Sequence, residues 1–322
     1  MLAARLGELE ILQLILDSGV PPVAGKEGLT PLMRAGEGGH DDVTRALLAT
    51  GMDVDTVDGV GRTALIFAVG HGFAEVAATL IEAGADVNHA LRTGETPLIV
   101  AIGQLDLSIS ELLIDRGADI EHRASSGRNA LLTAAALGRP RHMSLLLDAG
   151  AEVESVDRDG WSALLFGARG GRPRILSLAL DAGADPNRVG RLGWTALMTA
   201  CAHGRLPAVR QLLDAGARVD IRTAGGKTAL IQAARNGHVD IVRTLLDAGA
   251  EVDETSDGVT ALWWAAATGA TDLVTALLLA GADVRVRSPA GATALMIAER
   301  RGYHAIVEVL AAPSAALAGS GR

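Results

Sequence analysis

Glycine recurs through this chain on a fixed period, and that period limits the fold more than any local motif. A glycine two residues ahead of a Thr, Ser or Asn stands at Gly28, Gly61, Gly94, Gly127, Gly160, Gly193, Gly226, Gly258 and Gly291, in steps of 33 with one of 32. A second series runs out of phase at Gly19, Gly51, Gly84, Gly117, Gly150, Gly183, Gly216, Gly249 and Gly281. A unit of this size cannot bury an apolar face alone, so neighbouring units must stack. Nine complete units and a leading half-unit account for residues 1–312, read as one continuous array, and the Ala-, Gly- and Ser-rich residues 313–322 read as a flexible tail.

Each unit parses from its residue types. Thr30, Thr63, Thr96, Asn129, Ser162, Thr195, Thr228, Thr260 and Thr293 carry the short polar side chains that cap a helix N-terminus. Pro31 and Pro97 follow at the first helical position, where a missing N–H costs nothing. A helix of about eight residues then runs to a glycine such as Gly39, Gly72 or Gly138. The second helix places apolar residues on one face, as in Ile241, Val242, Leu245 and Leu246, and ends near Gly249. Hydrophobic residues make up 49% of the chain and aromatics only 2%, so the core must be Leu, Ala, Val and Ile on closely packed helices.

The stretches Gly28-Leu-Thr-Pro-Leu-Met, Gly94-Glu-Thr-Pro-Leu-Ile, Gly226-Lys-Thr-Ala-Leu-Ile, Asn236-Gly-His-Val-Asp-Ile-Val and Leu246-Asp-Ala-Gly-Ala-Glu-Val resemble ankyrin repeats. The resemblance implies an all-α solenoid of stacked helix-turn-helix units joined by β-hairpin-like loops, cupped and non-catalytic. It departs from the family in one column. The histidine that usually follows Thr-Pro-Leu is replaced by Met33, Ile66, Ile99, Leu132, Leu165, Met198, Ile231, Trp263 and Met296, which implies more apolar contacts between units. Leu105 occupies a mid-unit glycine position, and Gly103 is expected to take the left-handed turn instead. His142 replaces an apolar residue and reads as a partly buried histidine with a backbone partner.

Several function classes fall away. One cysteine, Cys201, excludes an intrachain disulfide framework and a cysteine-cluster zinc site, points to a reducing compartment, and lies in a small-residue column as an inert core thiol. No histidine pair has the spacing of a helical metal site, and Gly167-Ala-Arg-Gly-Gly lacks the Lys-Ser/Thr of a phosphate loop. Asp157 and Asp159 read as solvated turn formers. No run approaches ~18 apolar residues, and the first twenty residues do not read as a signal peptide. A net charge of −9 argues against a nucleic-acid backbone. These readings give a monomeric cytoplasmic protein with no cofactor, metal, nucleic acid or membrane partner. Two lysines against 27 arginines suggest a GC-rich, bacterial genome, where a secreted effector is an alternative.

The resemblance implies that the concave side is lined by the residue after the repeat glycine, the one after the histidine column, and the end of the first helix. Five of the eight aromatics fall in the first two columns: Phe67, Trp161, Phe166, Trp194 and Trp264. Trp263 reads as packing. The basic residues of the three columns are Arg34, Arg62, Arg128, Arg169, Lys227, Arg235, Arg300 and Arg301, against Glu37 and Glu95, a net of +6 on a body of −15. The expected partner-binding set is therefore Arg34, Arg62, Phe67, Arg128, Trp161, Phe166, Arg169, Trp194, Lys227, Arg235 and Trp264, and the expected ligand an acidic protein or peptide. The other reading is a small apolar or acidic molecule, with or without cofactor-free chemistry, held by Trp161, Phe166, Trp194, Arg128 and Arg169. A closed pocket would favour that reading, and an open groove a protein partner.

Overall fold

The computed structural model describes residues 1–21 and 23–311; the expected tail at 313–322 lies outside them. The chain falls into two compact units, Met1–Arg158 and the remainder from Asp159. The first contains the helices Leu2–Leu6, Leu9–Asp17, Pro31–Gly38, Asp41–Leu48, Ala64–His71, Ala74–Glu82, Pro97–Ala101, Ser108–Asp115, Ala130–Leu137 and Pro140–Asp148. The second repeats the pattern with Ala163–Gly170, Pro173–Asp181, Ala196–Ala202, Leu206–Asp214, Ala229–Arg235, Val239–Asp247, Ala261–Thr268, Thr271–Leu279, Ala294–Arg301 and His304–Ala311. Within each unit first helices pack beside first helices and second beside second. Among the described residues the only strands are Thr255–Ser256 and Val259–Thr260, an antiparallel pair with Thr255 opposite Thr260.

The polar column caps as expected. All nine side chains, from Thr30 to Thr293, accept a hydrogen bond from the backbone N–H three residues on, a contact typically worth about 1 kcal/mol each. Asn129 does more than cap, because its amide also donates to Glu121 and Ser155. The residues in the histidine column are core: Met33, Ile66, Ile99, Leu132, Leu165, Met198 and Ile231 are buried, and only Met296 of the last repeat is exposed.

Polar contacts between successive repeats come from elsewhere. In the loops, Asp55, Asn88, Glu121, Asn187 and Asp253 accept hydrogen bonds from the backbone N–H of Asp86, Asp119, Glu152, Arg218 and Asp283 in the following repeat, at 2.7–3.0 Å. Backbone bonds such as Ser125 N–H to the Thr93 carbonyl run beside them. The loops are thus joined by a ladder whose rungs end on the main chain.

Two local expectations change. Neither Gly103 nor Leu105 adopts a left-handed conformation. The first helix of that repeat stops at Ala101, and its last carbonyls are satisfied by tight bonds from Gly103 to Val100 and from Gln104 to Ala101, so no left-handed residue is needed. Leu105 is left 77% exposed. Asp157, read as a solvated turn former, is instead buried against Arg128 at 3.2 Å, where its loop is bonded to the preceding one through the Arg158 N–H and the Ser126 carbonyl.

His142 is buried in the repeat that follows this irregular turn. Its ring bonds the backbone of Asp106, and its Nε2 has no partner. Burial holds its pKa below the ordinary value; the Asp106 bond opposes the shift, and the charges of Arg139 and Arg141 add to it. Above the ordinary pKa of ~6.5 both folded and unfolded chains hold it neutral. As pH falls below that value, the unfolded chain takes up a proton that the folded chain refuses, so stability declines on acidification. Urea unfolding between pH 7.5 and 5.0 should therefore show a shallower loss for His142→Leu than for the unaltered protein; parallel curves would contradict it.

Candidate functional site

The first helices of the second unit carry the residues of interest. Capping by Ser162 and Thr195 starts two neighbouring helices just after Trp161 and Trp194, so both indoles project from loop ends and remain half-buried. Between them lies a cleft of about 570 Å³, open to solvent, lined by Trp161, Leu165, Arg169, Leu192, Trp194 and His203 among others. Its walls are largely apolar. The two polar groups at its lip, Asp159 and Arg191, pair with each other at 3.2 Å and are both about 70% exposed, so they add little net field.

Stacking fixes the side chains around it. Trp161 lies on Phe166 with centroids 5.3 Å apart, and the Arg169 guanidinium sits 5.3 Å from the Trp161 ring. Two repeats further on, Arg235 lies 5.0 Å from the Trp264 ring, which meets Trp263 edge-on at 5.4 Å. His203 Nδ1 donates to the Thr199 carbonyl at 2.9 Å, leaving Nε2 for the cleft. Arg169, Lys227 and Arg235 form no salt bridge among the described residues. Cys201, behind this face, is buried, and burial pushes its thiol up, away from nucleophilic chemistry.

The remaining expected contact residues lie in the first unit and are differently placed. Arg34 pairs with Glu37 at 2.5 Å, Arg62 with Asp58 at 2.8 Å, and Arg128 with Asp157. Burial pushes the Asp58 carboxyl up, but the Arg62 backbone and guanidinium and the Val60 N–H outweigh it and hold the acid below the usual carboxylate range. Among the expected contact residues, the cations that form no salt bridge among the described residues, Arg169, Lys227 and Arg235, all lie in the second unit. Phe67 and Phe166 are buried, 6% and 8% exposed, and serve as floors under Arg62 and Trp161 rather than as open faces.

Leu192 escaped the sequence reading. It holds a left-handed backbone (φ 59°), a conformation that costs a non-glycine residue roughly 1–2 kcal/mol, and its side chain is 66% exposed at the cleft lip. The only signal was a leucine where Gly225 stands one repeat later. Leu192→Asn, which tolerates that conformation, is expected to raise the unfolding free energy by about 0.5–1 kcal/mol while weakening any ligand that uses the lip. Thermal unfolding checks the first half; a lower Tm would mean that packing outweighs strain.

A family model described as ankyrin repeats (three copies) matches residues 1–91, 57–124, 87–157, 108–190, 143–223, 164–256 and 251–317. The chain belongs to the ankyrin-repeat family, whose members are generally protein-interaction modules and typically not enzymes. A search of curated proteins finds no match. Among the described residues no helix is long and apolar enough to cross a membrane, and no cluster of three His, Cys, Asp or Glu is placed to hold a metal ion.

Proposed function

We propose that this protein is a non-catalytic interaction module that binds an acidic polypeptide segment along the first helices of its second unit. The observation that carries the reading is the pairing of two half-buried tryptophans across an open cleft with arginines that lack an internal carboxylate. Tryptophan and arginine are the residue types that dominate binding hot spots, and exposed cationic groups on an acidic chain speed encounter with an acidic partner. The experiment is selection from a displayed peptide library. Enriched sequences should be rich in Asp and Glu, and Trp194→Ala should weaken them at least tenfold while its circular dichroism spectrum stays intact. Enrichment of neutral or basic peptides, or indifference to Trp194→Ala, would overturn the reading.

The cleft volume also falls within the range of small-molecule sites, about 300–1,000 Å³. That supports a second reading in which a free apolar or acidic compound is the ligand. Library peptides that compete for the cleft only at millimolar concentration would favour it.

A further inference from the structure

Arg62 shows what a filled version of the stacked arginines looks like. Its guanidinium lies 4.4 Å from the Phe67 ring and is held by the Asp58 carboxylate at 2.8 Å. Arg169 over Trp161 and Arg235 over Trp264 repeat the ring contact without the acid. In each case the ring is itself braced, by Phe166 or by Trp263. A guanidinium resting on a braced ring keeps its planar N–H fork free and has fewer rotamers to lose on meeting a carboxylate. The two are therefore anion receptors held at set positions.

Their separation follows from the repeat. Arg169 and Arg235 occupy equivalent places on the first helices Ala163–Gly170 and Ala229–Arg235, with Ala196–Ala202 packed between them. Helices in contact lie about 8–10 Å apart, which puts the two arginine backbones about 16–20 Å from each other. The Arg169 guanidinium folds onto Trp161 of its own repeat and that of Arg235 reaches Trp264 of the next, which favours the upper end of that range for their heads. Trp194, which has no ring partner among the described residues, opens the first helix of the intervening repeat at the edge of the apolar cleft that Arg169 also lines.

Resting on the reading above, we infer that the partner segment is an extended chain carrying two carboxylates six residues apart on one face, with a bulky apolar side chain on that same face between them that enters the cleft. An extended strand advances about 3.3 Å per residue, so six residues cover about 20 Å, the upper end of that separation, and side chains an even number of positions apart share a face. Arg169 takes one carboxylate, Arg235 the other, and Trp194 with Leu192 and Leu165 encloses the apolar group. His203, Thr199, Asp159 and Arg191 are the remaining polar residues around it; the Thr199 hydroxyl donates to the Thr195 carbonyl, and Asp159 and Arg191 neutralise each other.

The test uses the full chain and a set of fluorescein-labelled, end-blocked peptides with Thr and Val spacers, a Phe two positions after the first Glu, and a second Glu placed four, five, six or ten positions after the first. Anisotropy titrations should give the tightest binding at six, at least tenfold better than at five, where the second carboxylate faces away, or at ten. At the best spacing, Arg169→Gln and Arg235→Gln should each cost about tenfold, and Arg210→Gln on a second helix nothing. Replacing one Glu by Gln should make the peptide insensitive to one arginine substitution and leave it sensitive to the other. Equal affinity at every spacing, or equal losses for every peptide with either variant, would show a diffuse cationic surface and overturn the two-receptor arrangement while leaving an acidic partner standing. If no acidic peptide binds, both inferences fall. Circular dichroism of each variant guards against loss of fold.

Discussion

Reversing both stacked arginines, Arg169→Glu with Arg235→Glu, is expected to weaken an acidic ligand at least 100-fold. Each reversal removes a charge-assisted contact worth roughly 1.5–3 kcal/mol and sets a carboxylate against a carboxylate. Losing two such contacts exceeds the ~2.7 kcal/mol that 100-fold represents. The association rate should fall most at low salt, and raising the ionic strength should now help binding where it previously hindered it. The fold should survive, because both side chains are exposed and each gives up only a ring contact of about 0.5–1 kcal/mol. Stopped-flow association at several salt concentrations reads this directly. Unchanged rates would remove the acidic partner and leave the repeat architecture untouched.

The largest effect on stability is expected at a loop glycine. Gly94 has φ +83°, and a Cβ there would lie 2.8 Å from the Ser125 nitrogen and 3.0 Å from the Ala124 Cα. Both are main-chain atoms of the next loop and cannot swing aside. Gly94→Ala therefore combines a left-handed alanine with separation of two loops that are joined by the Ser125–Thr93 backbone bond, for a total of about 3 kcal/mol. Gly84 is the internal control: its φ is +93°, but nothing lies within 4 Å of the Cβ position, so alanine there should cost only the backbone term of about 1 kcal/mol. Urea denaturation of the two variants side by side makes the comparison, and equal losses would mean the loops are not in close contact.

What the sequence disclosed depended on whether a position was set by local chemistry or by its neighbour one repeat away. The caps were legible because a short polar side chain at a helix start acts within three residues of itself. Burial of Met33 through Ile231 was legible because a whole column had turned apolar. The pairing of Arg62 and Arg128 was not legible, since Asp58 and Asp157 stand outside the sorted columns; Asp157 reaches Arg128 from 29 residues downstream. Columns of like residues say nothing of a counter-ion that belongs to another column. Gly103 was misread for a different reason: a missing left-handed glycine suggested a substitute, whereas the chain ended its helix early. Leu192 is hard to read because left-handed strain is a property of the backbone, and its one sign in the sequence is the glycine, Gly225, at the same place one repeat later.

The loop ladder has a consequence for how such a chain changes length over evolutionary time. Each rung takes its acceptor from one repeat and its donor from the main chain of the next, so the receiving side demands no particular side chain. Asp55, Asn88, Glu121, Asn187 and Asp253 differ in charge and length, yet all serve. A repeat copied or deleted whole carries its own acceptor and offers its own N–H, so the joint closes again without a matching substitution on the other side. Gain or loss of a repeat is then a single genetic event, and the interval between binding residues on either side of it moves by one helix width at a stroke.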